Sequence, residues 1–172
     1  VDYLVKNGLT LEGKTVTLTG NVDLDGFKWE PIGKANLKQI FKGVFDGGGY
    51  EIHNLRSEVI STGEAYSGLF GAIYQARVTR VVLAKDCEIR TSYYGGGVVA
   101  YAQESEIVSC ENRASVSFEG PAGSVGGIAG YVSTSSIDRF ENLGVVTGTV
   151  KPSDNYATFL VYSFVFSGVN PA

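Results

Sequence analysis

The side chains able to do chemistry are few and badly spaced for it. His53 is the single histidine, and Cys87 and Cys110 are the two cysteines. A Ser–His–acid hydrolase would have to recruit His53, yet no Gly-x-Ser-x-Gly turn presents a nucleophile. Zinc needs three or four closely spaced ligands, which one imidazole and two distant thiols do not supply. Gly95-Gly96-Gly97-Val98-Val99-Ala100 has the loose spacing of a dinucleotide loop, but Ala102-Gln103-Glu104-Ser105-Glu106-Ile107 opens no helix to hold a pyrophosphate. Gly47-Gly48-Gly49 lacks that context too. No catalytic residue, metal site or cofactor is expected, and His53 is read as a structural or surface residue.

Two other sets recur at a fixed interval. Glu111 and Glu141 are 30 residues apart, as are Asn112 and Asn142, and Tyr101 and Tyr131. Carboxylates stacked on adjacent strands repel unless water or a cation separates them, so outward, solvated glutamates beside an asparagine stack are expected. A polysaccharide-cleaving acid pair is the alternative, although no Lys or Arg recurs in register to serve as a lyase base. Tyr101 and Tyr131 should form a short ladder, with Tyr93 and Tyr94 in the glycine-rich bend before it. Stacked phenol faces suit sugar rings or apolar protein surfaces, which makes Tyr93, Tyr94, Tyr101 and Tyr131 the candidate ligand-binding residues. Ladder stabilisation alone is the other reading of the same four.

The element that must position them is a repeat. The phrases Gly43-Val44-Phe45, Gly68-Leu69-Phe70-Gly71, Gly97-Val98-Val99-Ala100 and Gly127-Ile128-Ala129-Gly130 are each followed by an apolar pair three residues apart. Those pairs are Ile52 and Leu55, Val78 and Val81, Ile107 and Cys110, and Ile137 and Phe140, and their first members are separated by 26, 29 and 30 residues. A unit this short cannot bury its own apolar face and must stack on a neighbour. Short β-prone runs without helical period predict an all-β, right-handed parallel β-helix of about five coils of 26–30 residues, with three short strands per coil and capped ends. An antiparallel sandwich turning at Asp46-Gly47-Gly48-Gly49 and Gly95-Gly96 is the rival, but it gives no reason for one phrase to recur at one offset.

With 172 residues, 44% hydrophobic and 19% charged, the chain reads as one domain over 1–172. Residues 1–8 end a capping helix at Gly8, 9–150 form the coils, and 151–172 break the pattern as an atypical cap or docking strand, aromatic over Phe159 to Phe166. The net charge of −4, with scattered Lys and Arg, argues against nucleic acid. No run is long enough to enter a membrane as a helix. With no methionine, the chain is expected to be a mature or excised piece of a longer protein, without its signal region. Cys87 is aligned with Val116 and Val146, Cys110 with Val81 and Phe140, and both are expected to be buried free thiols.

Phe41-Lys-Gly-Val-Phe-Asp-Gly-Gly-Gly-Tyr-Glu-Ile-His-Asn-Leu55, Gly68-Leu-Phe-Gly71 and Gly126-Gly-Ile-Ala-Gly-Tyr131 resemble the GLUG-motif repeats of bacterial surface proteins. Leu11 to Leu18, Asp23 to Gly26 and Trp29 to Gly33 resemble the opening coil of that family. The third repeat departs from the motif at Val99-Ala100, and the stretch from Asn155 fits no repeat. The resemblance implies a non-catalytic β-helical segment of a secreted or cell-surface bacterial protein, in a family of adhesin-like and immunoglobulin A peptidase-associated chains. Its expected role is a rigid scaffold and binding platform for host or bacterial glycans or surface proteins, with other domains of the parent chain as further partners. A polysaccharide lyase or glycosidase, or a spacer without a ligand, are the alternatives.

Overall fold

The computed structural model describes residues 1–36, 38–61 and 63–150, together with the backbone strand Phe159–Tyr162. After the helix Asp2–Lys6 the described elements are all short strands, joined into parallel ladders. The first ladder stacks Thr15–Thr17, Val44–Asp46, Arg77–Thr79, Glu106–Val108 and Ser136–Asp138. The second stacks Val22–Asp23, Glu51–His53, Val82–Leu83, Glu111–Asn112 and Glu141–Asn142, and the third Arg56–Val59, Glu88–Thr91, Ser115–Gly120 and Val146–Val150. The fourth stacks Tyr66–Ser67, Tyr94–Gly96, Gly123–Gly126 and Phe159–Tyr162, and the fifth Phe70–Tyr74, Val99–Gln103 and Ala129–Ser133. The molecule is a β-solenoid of about 4 turns where about five coils were expected, and its complete turns have five short strands where three were expected.

The extra breaks come from stacked left-handed residues. Gln75, Glu104 and Thr134 have φ of 48°, 48° and 49° between the fifth and first ladders, and Arg80, Ser109 and Arg139 have 52°, 56° and 49° between the first and second. Such a φ costs a non-glycine residue about 1–2 kcal/mol. Four of these six corners return a hydrogen bond to the next coil: Gln75 N–H donates to Gln103 O at 3.2 Å, Glu104 to Ser133 at 3.0 Å, Arg80 to Val108 at 3.1 Å and Ser109 to Asp138 at 2.9 Å.

The interior is a set of apolar columns. Val16, Phe45, Val78, Ile107 and Ile137 occupy successive rungs of one column, and Phe70, Val99 and Ala129 those of another. Their register corrects the first repeat as the sequence suggested it. Phe45 lies beside Val78 and Ile52 beside Leu83, so the 26-residue step between Ile52 and Val78 is not a coil. The partner of Phe70 in the first turn is Ile32, and Gly43-Val44-Phe45 belongs to a different side of the column from Gly68-Leu69-Phe70.

The two glycine phrases look alike because both sides of the column need close approach. A Cβ on Gly43 would lie 2.6 Å from Leu11 O, and one on Gly68 would lie 2.5 Å from Gly96 O. The register also moves Cys87 beside Ala114, while Cys110 keeps its place between Val81 and Phe140. Both thiols are free and buried, and burial pushes each up to about 11. They are small core residues rather than reactive ones.

A short helix occupies the stretch for which a cap is expected. Helix Asp2–Lys6 places Val5 in the core with 1% exposure, stops at Gly8 with φ of 85°, and is tied down by Lys6 to Asp2 at 3.0 Å and Glu30 at 2.7 Å. At the other end, Ile128, Ala129, Ile137 and Phe140 line an apolar cavity of about 310 Å³. Phe159–Tyr162 extends the fourth ladder beside Gly123–Gly126. The rest of the 151–172 stretch, for which a cap or docking role is expected, lies outside the described residues.

Candidate functional site

The tyrosines converge where the fourth ladder turns into the fifth. Thr91, buried to 1%, receives the Tyr93 N–H at 3.2 Å and donates its hydroxyl to Tyr94 O at 2.9 Å, fixing the bend that carries both rings. A Cβ on Gly95 would lie 2.7 Å from Thr91 Cγ2, so glycine lets that bend close over the threonine. Ser92 Oγ donates to Ser61 O at 2.9 Å and receives Ser61 N–H at 3.0 Å, which holds the loop leading to Glu64 and Tyr66.

Two ladders then interlock. Successive rungs of the fourth ladder present Tyr66, Tyr94 and Ser124, and those of the fifth present Ala72, Tyr101 and Tyr131. Ser124 and Ala72 are small, so each row leaves room for a ring from the other. Tyr101 and Tyr131 stack at 5.2 Å with planes 9° apart. Tyr94 is the hub: its ring lies 5.5 Å from Tyr66, 4.5 Å from Tyr93, 6.0 Å from Tyr101 and 5.4 Å from Tyr131. Tyr66 meets Tyr101 edge-on at 6.0 Å, closing a continuous aromatic surface drawn from three turns.

This surface lines an open groove of about 530 Å³, in the range of small-molecule sites. Tyr94, Tyr101 and Tyr131 face it, whereas Tyr93 packs edge-on against Tyr94 outside the lining. Sequence reasoning missed Tyr66, Tyr74, Glu64 and Gln103, all of which line the groove. The 28-residue interval between Tyr66 and Tyr94 was the available signal for the first of them. The Tyr66 hydroxyl donates to the Glu64 carboxylate, and Tyr101 Oη meets Gln103 Oε1 at 3.4 Å. Burial, reinforced by Glu64, pushes Tyr66 well above the usual phenol range; burial and the neighbouring Tyr93 push Tyr94 up to about 12. Both phenols are neutral near pH 7, and with the Tyr66 proton held by Glu64 the Tyr66 oxygen faces a ligand as an acceptor.

The remaining polar groups are committed to joining coils. His53 Nδ1 meets Asp86 Oδ2 at 3.0 Å and its Nε2 meets Glu51 Oε2 at 3.1 Å, and the Asp86 bond leads the causes that raise its pKa. Asp86 also accepts the Asn54 N–H at 3.1 Å, and Asn54 Nδ2 donates to Asp23 at 2.9 Å. Glu111 and Glu141 do stack in register. The charge of Glu111 is met by Arg113, which donates to Glu111 at 2.5 Å and to Glu51 at 2.7 Å, while Glu141 is exposed. Among the described residues no three acid, His or Cys side chains cluster as metal ligands, and no helix is long and apolar enough to cross a membrane.

No protein-family model matches the chain, and neither curated proteins nor solved structures provide a match. The functional reading therefore rests on the residues themselves.

Proposed function

We propose that the chain is a non-catalytic module of a secreted or cell-surface bacterial protein, a rigid column that displays the tyrosine groove to a glycan. The observation that carries this reading is the continuous contact of Tyr66, Tyr93, Tyr94, Tyr101 and Tyr131 across three turns. Phenol rings give broad contact area with few rotatable bonds, so little entropy is lost when a ligand settles on them. A stack of parallel strands keeps the rings at fixed separations, which prepays the ordering that a loop-borne site would incur on binding. The GLUG-like phrases support placement among adhesin-like surface proteins.

Glycan arrays and pull-downs with the 172-residue chain and a Tyr101→Ala/Tyr131→Ala variant test the reading. Binding by the wild type that is lost in the variant is expected; no ligand for either protein removes the binding claim. The non-catalytic part is tested separately by reducing-sugar release from neutral and acidic polysaccharides, with and without Ca²⁺. Turnover of any of them would overturn it.

A further inference from the structure

Resting on that reading, we propose that the groove selects uncharged pyranose units and turns away acidic ones, with Glu64 as the residue that discriminates. The lining combines phenol rings with their hydroxyls, the aliphatic Ala35 and Ile40, the Asn36 and Gln103 amides, and a single carboxylate, Glu64. Neither Lys nor Arg is among the described lining residues. Lys34 and Lys38 sit two positions either side of Asn36 in the chain but do not line the groove.

Four arginines of the other faces are held by carboxylates of adjacent turns: Arg56 by Glu88 and Arg90 by Glu58, both at 3.1 Å, Arg77 by Glu106, and Arg80 by Asp46. Lys42 lies over the Tyr74 ring at 5.4 Å and pairs with Glu12 at 3.7 Å. A bound carboxylate or sulfate would thus enter a groove with one carboxylate and no cation in its described lining.

An uncharged pyranose meets complementary chemistry at each point. Its C–H face is apolar enough to lie on the rings, and its hydroxyls can donate to the Glu64 carboxylate, a bond strengthened by the charge of the acceptor. The Gln103 amide supplies a donor and an acceptor at the far side of Tyr101. Glu64 is exposed and already accepts the Tyr66 hydroxyl, so it is held at the lip while its remaining lone pairs face solvent. Like-charge juxtaposition at the lip disfavours an acidic ligand; because Glu64 is exposed the repulsion is screened by solvent, so a discrimination of about ten-fold that shrinks with added salt is expected.

The experiment is a titration of immobilised glycans that share one neutral core and differ only in a terminal sialic acid or a sulfate. The 172-residue chain is compared with Glu64→Gln and Tyr131→Ala, and thermal melts check that both variants fold. The wild type is expected to bind the neutral core and to bind the acidic versions about ten-fold or more weaker. Glu64→Gln should bring acidic and neutral forms to within about three-fold of each other, and Tyr131→Ala should weaken both together. Equal or tighter binding of the acidic forms by the wild type overturns the proposal while leaving glycan binding intact. So does a Glu64→Gln variant that discriminates as the wild type does. Binding of proline-rich peptides with no glycan bound, or no ligand at all, overturns the glycan reading and this proposal together.

Discussion

Asn112 and Asn142 inside the column and Tyr101 and Tyr131 outside it are separated by the same 30 residues and stacked by the same parallel register, yet they do opposite work. Asn112 is fully buried and Asn142 is 6% exposed. Asn112 Nδ2 donates to Ala114 O at 3.0 Å and to Asn142 Oδ1 at 2.9 Å, and its own Oδ1 accepts the Ala114 N–H at 3.2 Å. Both polar atoms of that amide are used inside the column, fixing the local bend at Ala114 and tying one turn to the next through Asn142. Tyr131, in contrast, is 41% exposed, and its ring is committed only to neighbouring rings. The comparison teaches that repetition in register is neutral as to role; the side of the strand decides whether the stack becomes cement or display.

The inner ladder should be far the more sensitive. A Cβ at position 97 would lie 2.4 Å from both Gly127 O and Asn112 Oδ1, so Gly97→Ala must displace backbone as well as the amide ladder. A loss of about 3–4 kcal/mol is expected, read from the shift of the urea midpoint. Asn112→Ala strands the Ala114 N–H and C=O and the Asn142 carbonyl in the core, and should cost about 2–3 kcal/mol in the same assay. Tyr131→Ala should cost about 1 kcal/mol or less while weakening ligand capture. A Tyr131→Ala loss as large as that of Asn112→Ala would erase the distinction between the two ladders.

The smallest effect belongs to His53, which is half-buried between Asp86 and Glu51. Its folded-state pKa is raised, the Asp86 hydrogen bond being the main cause, so its contribution is fully present below the unfolded value of about 6.5 and is lost as pH rises through the folded value. Urea midpoints should fall slightly from pH 6 to pH 8 in the wild type, and His53→Gln should flatten that slope. An unchanged slope in the variant would assign the pH dependence to other groups.

Much of the column could be read from spacing, because identical intervals between Ile107 and Ile137 or Tyr101 and Tyr131 have one simple spatial meaning in a parallel stack. The first turn misled because Gly43-Val44-Phe45 and Gly68-Leu69-Phe70 satisfy the same local demand, glycine for close approach and apolar residues for the interior, on different sides. The groove was only half visible. Tyr94 and Tyr66 are rung partners, but Tyr94 and Tyr131 meet because Ser124 is small, and a void left by a serine has no periodic signature. Arg113 was hidden for a related reason: it reaches Glu51, 62 residues away, by crossing turns rather than by repeating.

The pairing of glycine with asparagine has a consequence for how such a column can lengthen. Gly97 makes room for Asn112 and Gly127 for Asn142, each fifteen positions further along the same turn. Copying one whole thirty-residue unit carries both halves of the device, whereas a shorter insertion would import an amide without its recess or a recess without its amide. Growth by duplication is therefore quantised, and the copy number of turns, more than the identity of surface residues, is the variable such a lineage can change most freely.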